Sequence, residues 1–284
     1  MPDSEVSDMD TSNRLMTRRI PPSLSPILTE LELEAARVVT LADLTRLVEQ
    51  AGIGTTPRVV AARLRELGWL LPTGTAGVWE FAPASHAGPI GHGDPFLALR
   101  AALATRPSLH AAVCLTSALA AHHLVERAPD RLEVAVDDSA SIPRGLRRAT
   151  RVVIFAAHLG PEQSLGVPVH RLATVLVHLA TRPTDVRGWG AVADALPDLV
   201  EAVATEDLDV ELAGRPRSVR VRLAYLVHGV APDLADRLVP ADQGGRAAPK
   251  VWFGPRGPLK RHSTRFSIAD TLLPSDPAAL HPAP

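Results

Sequence analysis

Arg58 and Arg65 stand seven residues apart, and on a helix that step returns to nearly the same angle. Two guanidinium groups on one face can each pair bidentately with guanine or grip phosphate oxygens. Ala61 and Ala62 lie between them, small enough to let the helix axis approach a groove floor. Arg63 lies at the flank, within reach of phosphate, and Thr55 and Thr56 place hydroxyls just before the helix. Thr73 and Thr75, in a glycine-containing turn further on, are placed to touch a flanking backbone or minor groove. The chemistry these residues suit is recognition of double-stranded DNA.

That face needs a scaffold, and the surrounding residues supply its signals. Apolar residues at helical spacing predict a first helix over Pro26–Val39. Thr40 reads as an N-cap with Asp43 three residues on, opening a second helix with the stripe Leu41, Leu44, Val48 and Ala51. Gly52 stands where a helix needs a left-handed C′ residue. Thr56 caps a third helix over Pro57–Leu67, with Pro57 at its first position and Val60, Leu64 and Leu67 facing inward. Trp69–Leu71 and Val78–Phe81 read as two strands joined by a turn. Helices followed by a hairpin predict a winged helix-turn-helix, whose usual task is to lay one helix in a major groove.

Other chemistries find less support. Cys114 sits in the apolar run Ala111–Leu115, which suits a core thiol, and a single cysteine builds no disulfide framework. His110, Cys114, His122 and His123 lack the spacing of a zinc site, so no metal and no cofactor are expected. Asp137-Asp138 follows a strand without the Gly-Ser loop that a nucleotidyltransferase needs, and adjacent strand residues point to opposite faces. Neither Lys250 nor Lys260 has the upstream carboxylate of a restriction-type nuclease. There is no lysine-bearing phosphate loop and no Gly-x-Ser-x-Gly elbow. The chain is read as a non-enzyme without catalytic residues.

With 284 residues and 46% apolar content, two packed domains are expected. No signal peptide or membrane span is apparent, which points to the cytoplasm. Residues 1–24 read as a disordered head, 25–83 as the DNA-binding domain, 84–93 as a Gly/Pro-rich linker, 94–274 as a larger domain and 275–284 as a loose tail. Grouped helices with a few separated strands in the larger domain make the fold class α+β. Strands are expected near Leu132–Val136, Arg151–Phe155, Val167–His170, Val251–Phe253 and Arg265–Ile268. Helices are expected at Asp94–Ala104, Leu115–Leu124, Ala173–Ala180, Asp185–Val203 (broken near Pro197), Ser218–Val230 and Pro232–Leu238. From Gly214 to Phe266 eleven bases face three acids, leaving +8. Arg215, Arg217, Arg220, Arg222, Arg256, Lys260 and Arg261 therefore form a possible second basic surface for nucleic acid or an acidic partner.

The order of these motifs resembles the AbiEi family of abortive-infection antitoxins. The resemblance rests on the predicted winged helix, the hairpin with Gly77-Val78-Trp79, and the helix Ser117-Ala118-Leu119-Ala120-Ala121-His122-His123-Leu124. Lys250-Val251-Trp252-Phe253-Gly254 and Asp270-Thr271-Leu272-Leu273 add to it. His123 stands where the family often has glycine. The resemblance implies an antitoxin of a two-gene system that counters a nucleotidyltransferase-type toxin, with direct contact left open. It also implies repression of the chain's own operon through inverted-repeat promoter DNA. The alternative reading is a ligand-responsive winged-helix regulator whose larger domain binds a small molecule.

Overall fold

The computed structural model describes residues 20–83, 94–138, 142–239 and 249–280. The predicted linker, and the predicted head up to residue 19, lie outside these residues. The chain divides into two compact units, Met1–His92 and Gly93–Pro284. Helices and sheets are mixed, and among the described residues no helix is long and apolar enough to cross a membrane.

The small unit runs α1 (Ser25–Leu33), β1 (Val38–Thr40), α2 (Leu41–Gln50), α3 (Pro57–Glu66), β2 (Leu70–Pro72) and β3 (Val78–Phe81). The three strands form one antiparallel sheet in the order β1-β3-β2. The first helix is shorter than its periodicity predicts. It stops at Leu33, Ala35 turns to φ +47°, and Val38–Thr40 pairs with Val78–Glu80 instead. The β-branched pair Val38-Val39 favours that pairing, which buries Val39 completely and leaves Ala35 exposed.

The caps follow their local signals. Thr40 N–H donates to Asp43 Oδ2 at 2.8 Å, and Asp43 N–H donates to Thr40 Oγ1 at 3.1 Å. Each side chain thereby satisfies a donor that the start of α2 would leave open. Thr40→Ala is expected to lower the stability of the small unit by about 1 kcal/mol, read as an earlier thermal transition of its tryptophan fluorescence. Gly52 holds φ +62° at the end of α2, where a β-carbon would be strained. Leu28, Leu31, Leu44, Leu47, Val60 and Leu64 close the core, and Trp69 stacks on Phe81 with ring centroids 6.3 Å apart.

The larger unit is built on a five-stranded sheet in the order β6-β5-β4-β8-β7. Its strands are β4 (Ala111–Val113), β5 (Glu133–Val136), β6 (Arg151–Ile154), β7 (Glu162–Ser164) and β8 (Val167–Val169). Two parallel pairings, β4–β8 and β5–β6, alternate with antiparallel ones, β4–β5 and β7–β8. Around it lie α4 (Leu97–Thr105), α5 (Leu115–Ala121), α6 (Arg144–Ala149), α7 (Leu172–Thr181), α8 (Trp189–Ala202), α9 (Thr205–Leu212), α10 (Arg217–Val227) and α11 (Pro232–Leu238). A second sheet, β10-β11-β9, joins β9 (Val251–Phe253), β10 (Arg261–Ser263) and β11 (Ile268–Asp270). Residues Ala173–Ala180 of α7 are all buried, and the helix packs on α5, α8, α9 and α10, so it is the centre of this unit.

Three differences from the sequence reading have physical causes. α8 runs unbroken through Pro197, because Val192, Leu196 and Leu199 bury one continuous face and offset the backbone bond that proline removes. The strand expected at Arg265–Ile268 starts only at Ile268, as β11; Arg265–Ser267 lie in the turn between β10 and β11, with Ser267 N–H donating to Thr264 O at 3.2 Å. Beyond Pro274, Pro277–Ala279 forms a 3-10 turn with Pro277 buried, and its carbonyl approaches so closely that a β-carbon at Gly229 would lie 2.0 Å away. His123 holds φ +62°, a conformation easiest for glycine.

Candidate nucleic-acid interface

The exposed face of α3 gathers the residues that the sequence singled out. Arg58, Ala62, Arg63 and Arg65 are exposed, as are Thr55 and Thr56 in the preceding turn. Among the described residues none of the three arginines has an ion-pair partner, whereas Arg46 on α2 is held by Glu34 at 2.8 Å. Thr56 occupies the N-cap position without a side-chain capping bond, so its hydroxyl stays available. Ala61 departs from the expectation: it is 2% exposed and packs inward with Val60 and Leu64. Ala62 alone keeps the face low between the arginines. Val59, missed in the sequence reading, is 53% exposed beside Arg58. An apolar residue left in water on a helix face was the signal for it, and periodicity alone did not reveal that exposure.

In the turn between β2 and β3 the two threonines divide the work. Thr73 Oγ1 donates to Val78 O at 2.9 Å and accepts from Thr75 N–H at 3.2 Å, which fixes the turn. Gly74 and Gly77 take positive φ to close it. Thr75 keeps its hydroxyl for other contacts.

The predicted second basic surface separates into committed and open arginines. Arg215 bonds Glu211 at 2.5 Å and Ala156 O at 2.8 Å. Arg220 donates to Leu212 O. Arg222 Nε donates to Trp252 O at 2.7 Å, and its Nη1 reaches Ala180 O and Thr181 O. Lys260 and Arg261 both donate to Leu273 O. Arg217 and Arg256 remain, joined by Lys250 at a cleft that also exposes part of Trp252.

The buried reactive groups are structural. Burial, with Glu133 nearby, pushes the Cys114 thiol well up, so it carries no nucleophilic thiolate at neutral pH. His110 bonds Asp137 at 3.0 Å, while His122 is packed and donates to His170 O at 2.8 Å; His123 is exposed. Among the described residues no cluster of three or more His, Cys, Asp or Glu side chains could hold a metal ion.

Residues 111–229 match the family model described as the AbiEi antitoxin C-terminal domain. The larger unit carries an AbiEi antitoxin domain. The matched segment opens at β4 and ends just after α10, so it takes in the five-stranded sheet and the buried helix α7. The solved structure of the RV2827C protein from Mycobacterium tuberculosis is similar at a TM-score of 0.75 and 28% identity. That alignment covers 90% of this chain and 94% of the other, so the likeness extends well beyond the AbiEi segment. A comparison with curated proteins finds no match. Arg217 and Arg222 lie within the AbiEi segment, and Lys250, Trp252 and Arg256 lie past its end.

Proposed function

We propose that the chain is the antitoxin and autorepressor of a two-gene toxin–antitoxin system. The small unit acts as a winged helix-turn-helix and binds inverted-repeat DNA in its own promoter. The AbiEi domain counters a nucleotidyltransferase-type toxin in the cytoplasm. The observation that carries the DNA half is the set Arg58, Arg63 and Arg65 on the exposed face of α3, without an ion-pair partner among the described residues. The hairpin β2–β3 follows that helix directly, as a wing would. Arg58 and Arg65 read base edges, and Thr55, Thr56 and Arg63 hold phosphates. Val59 meets a thymine methyl, and Thr75 touches the flanking backbone. The reading assigns no catalytic residue and no cofactor.

Replacing Arg58 or Arg65 by alanine is expected to weaken specific binding by roughly 1–3 kcal/mol while leaving thermal stability unchanged. The functional test is co-expression with the neighbouring gene beside a reporter driven by the shared promoter. The intact chain restores growth and silences the reporter. The Arg58→Ala, Arg65→Ala double variant restores growth but leaves the reporter on. Full silencing by that variant would remove α3 from the reading, and failure of the intact chain to restore growth would remove the antitoxin half.

A further inference from the structure

The cleft beside α10 has a composition unlike the rest of the basic region. It holds about 480 Å³, and its lining includes Arg217, Ser218, Arg222, Lys250, Trp252 and Arg256. Among the described residues no acidic side chain lines it. That volume is too large for a bare phosphate and falls in the range of a nucleotide-sized ligand. Lys250 Nζ lies over the Trp252 ring, 5.0 Å from its centroid, so a cation and an aromatic face already meet here, and a base takes that face by displacing the flexible lysine toward the phosphate. Arg222 shapes the wall rather than meeting a ligand, because its donors are held by Trp252 O, Ala180 O and Thr181 O. Its bond to Trp252 O pins the backbone that carries the indole. Arg217, Lys250 and Arg256 have no ion-pair partner among the described residues, in contrast to Arg215 and Arg261.

We propose that this cleft binds a single-stranded nucleic acid, with a base against Trp252 and the adjoining phosphates on Arg217, Lys250 and Arg256. Cations that track a backbone beside an aromatic ring that accepts a base are the two parts of a single-strand site. Duplex DNA offers no free base face to the ring. Because the cleft is open rather than enclosed, a strand can pass through it. The site belongs to the larger unit and does not rest on operator recognition by α3.

The test uses the full chain carrying Arg58→Ala and Arg65→Ala, so that α3 does not contribute. Fluorescence anisotropy follows a fluorescein-labelled oligo(U) and an oligo(dT) of equal length, with unlabelled duplex and ADP as competitors. Binding to a single strand is expected, with the RNA and DNA arms giving the preferred sugar. Trp252→Ala weakens it about tenfold, and Trp252→Phe, which keeps an aromatic face and the packing, stays close to the parent. Arg217→Ala with Arg256→Ala on two exposed positions weakens it further and makes it less salt-dependent. Unchanged affinity in Trp252→Ala, or duplex competing as well as single strand, would reduce the cleft to a plain cationic patch and overturn the proposal. ADP competing as well as the strand would overturn it in favour of a free nucleotide.

Discussion

Glu211→Ala lowers the stability of the larger unit by about 3–5 kcal/mol, the cost of removing one partner from a buried ion pair. The Glu211 side chain on α9 is fully buried. Its carboxylate accepts from the backbone N–H groups of His158 and Leu159 at 3.1–3.2 Å and from Thr174 Oγ1 at 3.1 Å. Arg215 completes the set at 2.5 Å and also lies over the Phe155 ring, 4.7 Å from its centroid. One side chain therefore ties α9 to α7 and to the segment after β6. Without it, Arg215 keeps a charge with no counter-ion and the N–H groups of His158 and Leu159 lose their acceptor. In a unit of this size that corresponds to a drop in melting temperature on the order of 10 °C. Glu211→Gln keeps the shape but turns a donor toward the two N–H groups, so it recovers only part of the loss. Glu162→Ala is the control: it removes a half-exposed carboxylate 3.4 Å from His122 and is expected to change little. A shift below about 2 °C for Glu211→Ala would contradict the account of the core.

The larger unit loses stability as the pH falls from about 6.5, the unperturbed histidine value. Burial, followed by the neighbouring His178, pushes His170 down to about 3. Burial also lowers His178, against an opposing pull from Asp185 at 3.6 Å and with Arg182 and Arg215 adding to the shift. His178 stacks on Phe155 at 3.9 Å, and among the described residues neither of its ring nitrogens has a hydrogen-bond partner. The sign follows from these directions. The folded state keeps both imidazoles neutral while the unfolded chain takes up protons below its own pKa. Stability is thus full above about 6.5 and declines towards the folded values. Glu133 runs the other way, because burial raises its pKa and the folded state then gains on protonation. His170 alone accounts for a loss of about 2 kcal/mol between neutral pH and about 5; His178 adds to it in the same direction and Glu133 opposes it. His170→Leu should flatten the melting-temperature profile over that interval. A wild-type profile that is flat from pH 7.5 to 5.0 would show that these imidazoles charge freely in the folded state.

What could be read from the sequence was what local chemistry decides. The Thr40–Asp43 box, the left-handed Gly52 and Pro57 at the start of α3 each act within a few residues, and each marks a boundary that the structure keeps. The exposed arginines of α3 followed from the seven-residue step. Helical periodicity places Val38 and Val39 in the first helix because it is blind to their pairing with β3, some forty residues away. Ala61 turned inward for a related reason: a small residue on the boundary of a helix face is placed by its neighbours. The second basic surface shows the limit most sharply. Arg215, Arg220, Arg222, Lys260 and Arg261 look alike in sequence, yet carbonyls on other elements take up their donors. Only the folded chain separates them from Arg217 and Arg256. The helices α6 and α9 and the strand β7 are short, and their packing partners rather than their own patterns hold them in place.

On the proposed function, the small unit recognises a specific duplex. The most direct test of that recognition is equilibrium binding of the full chain to the DNA immediately upstream of its own coding sequence. A scrambled duplex of the same composition serves as reference, and both are measured at two salt concentrations. Preference for the upstream duplex is expected at both, because contacts from Arg58 and Arg65 to base edges persist when phosphate contacts are screened. Equal binding to the two duplexes, lost together at the higher salt, would contradict it and leave α3 as a non-specific cationic face.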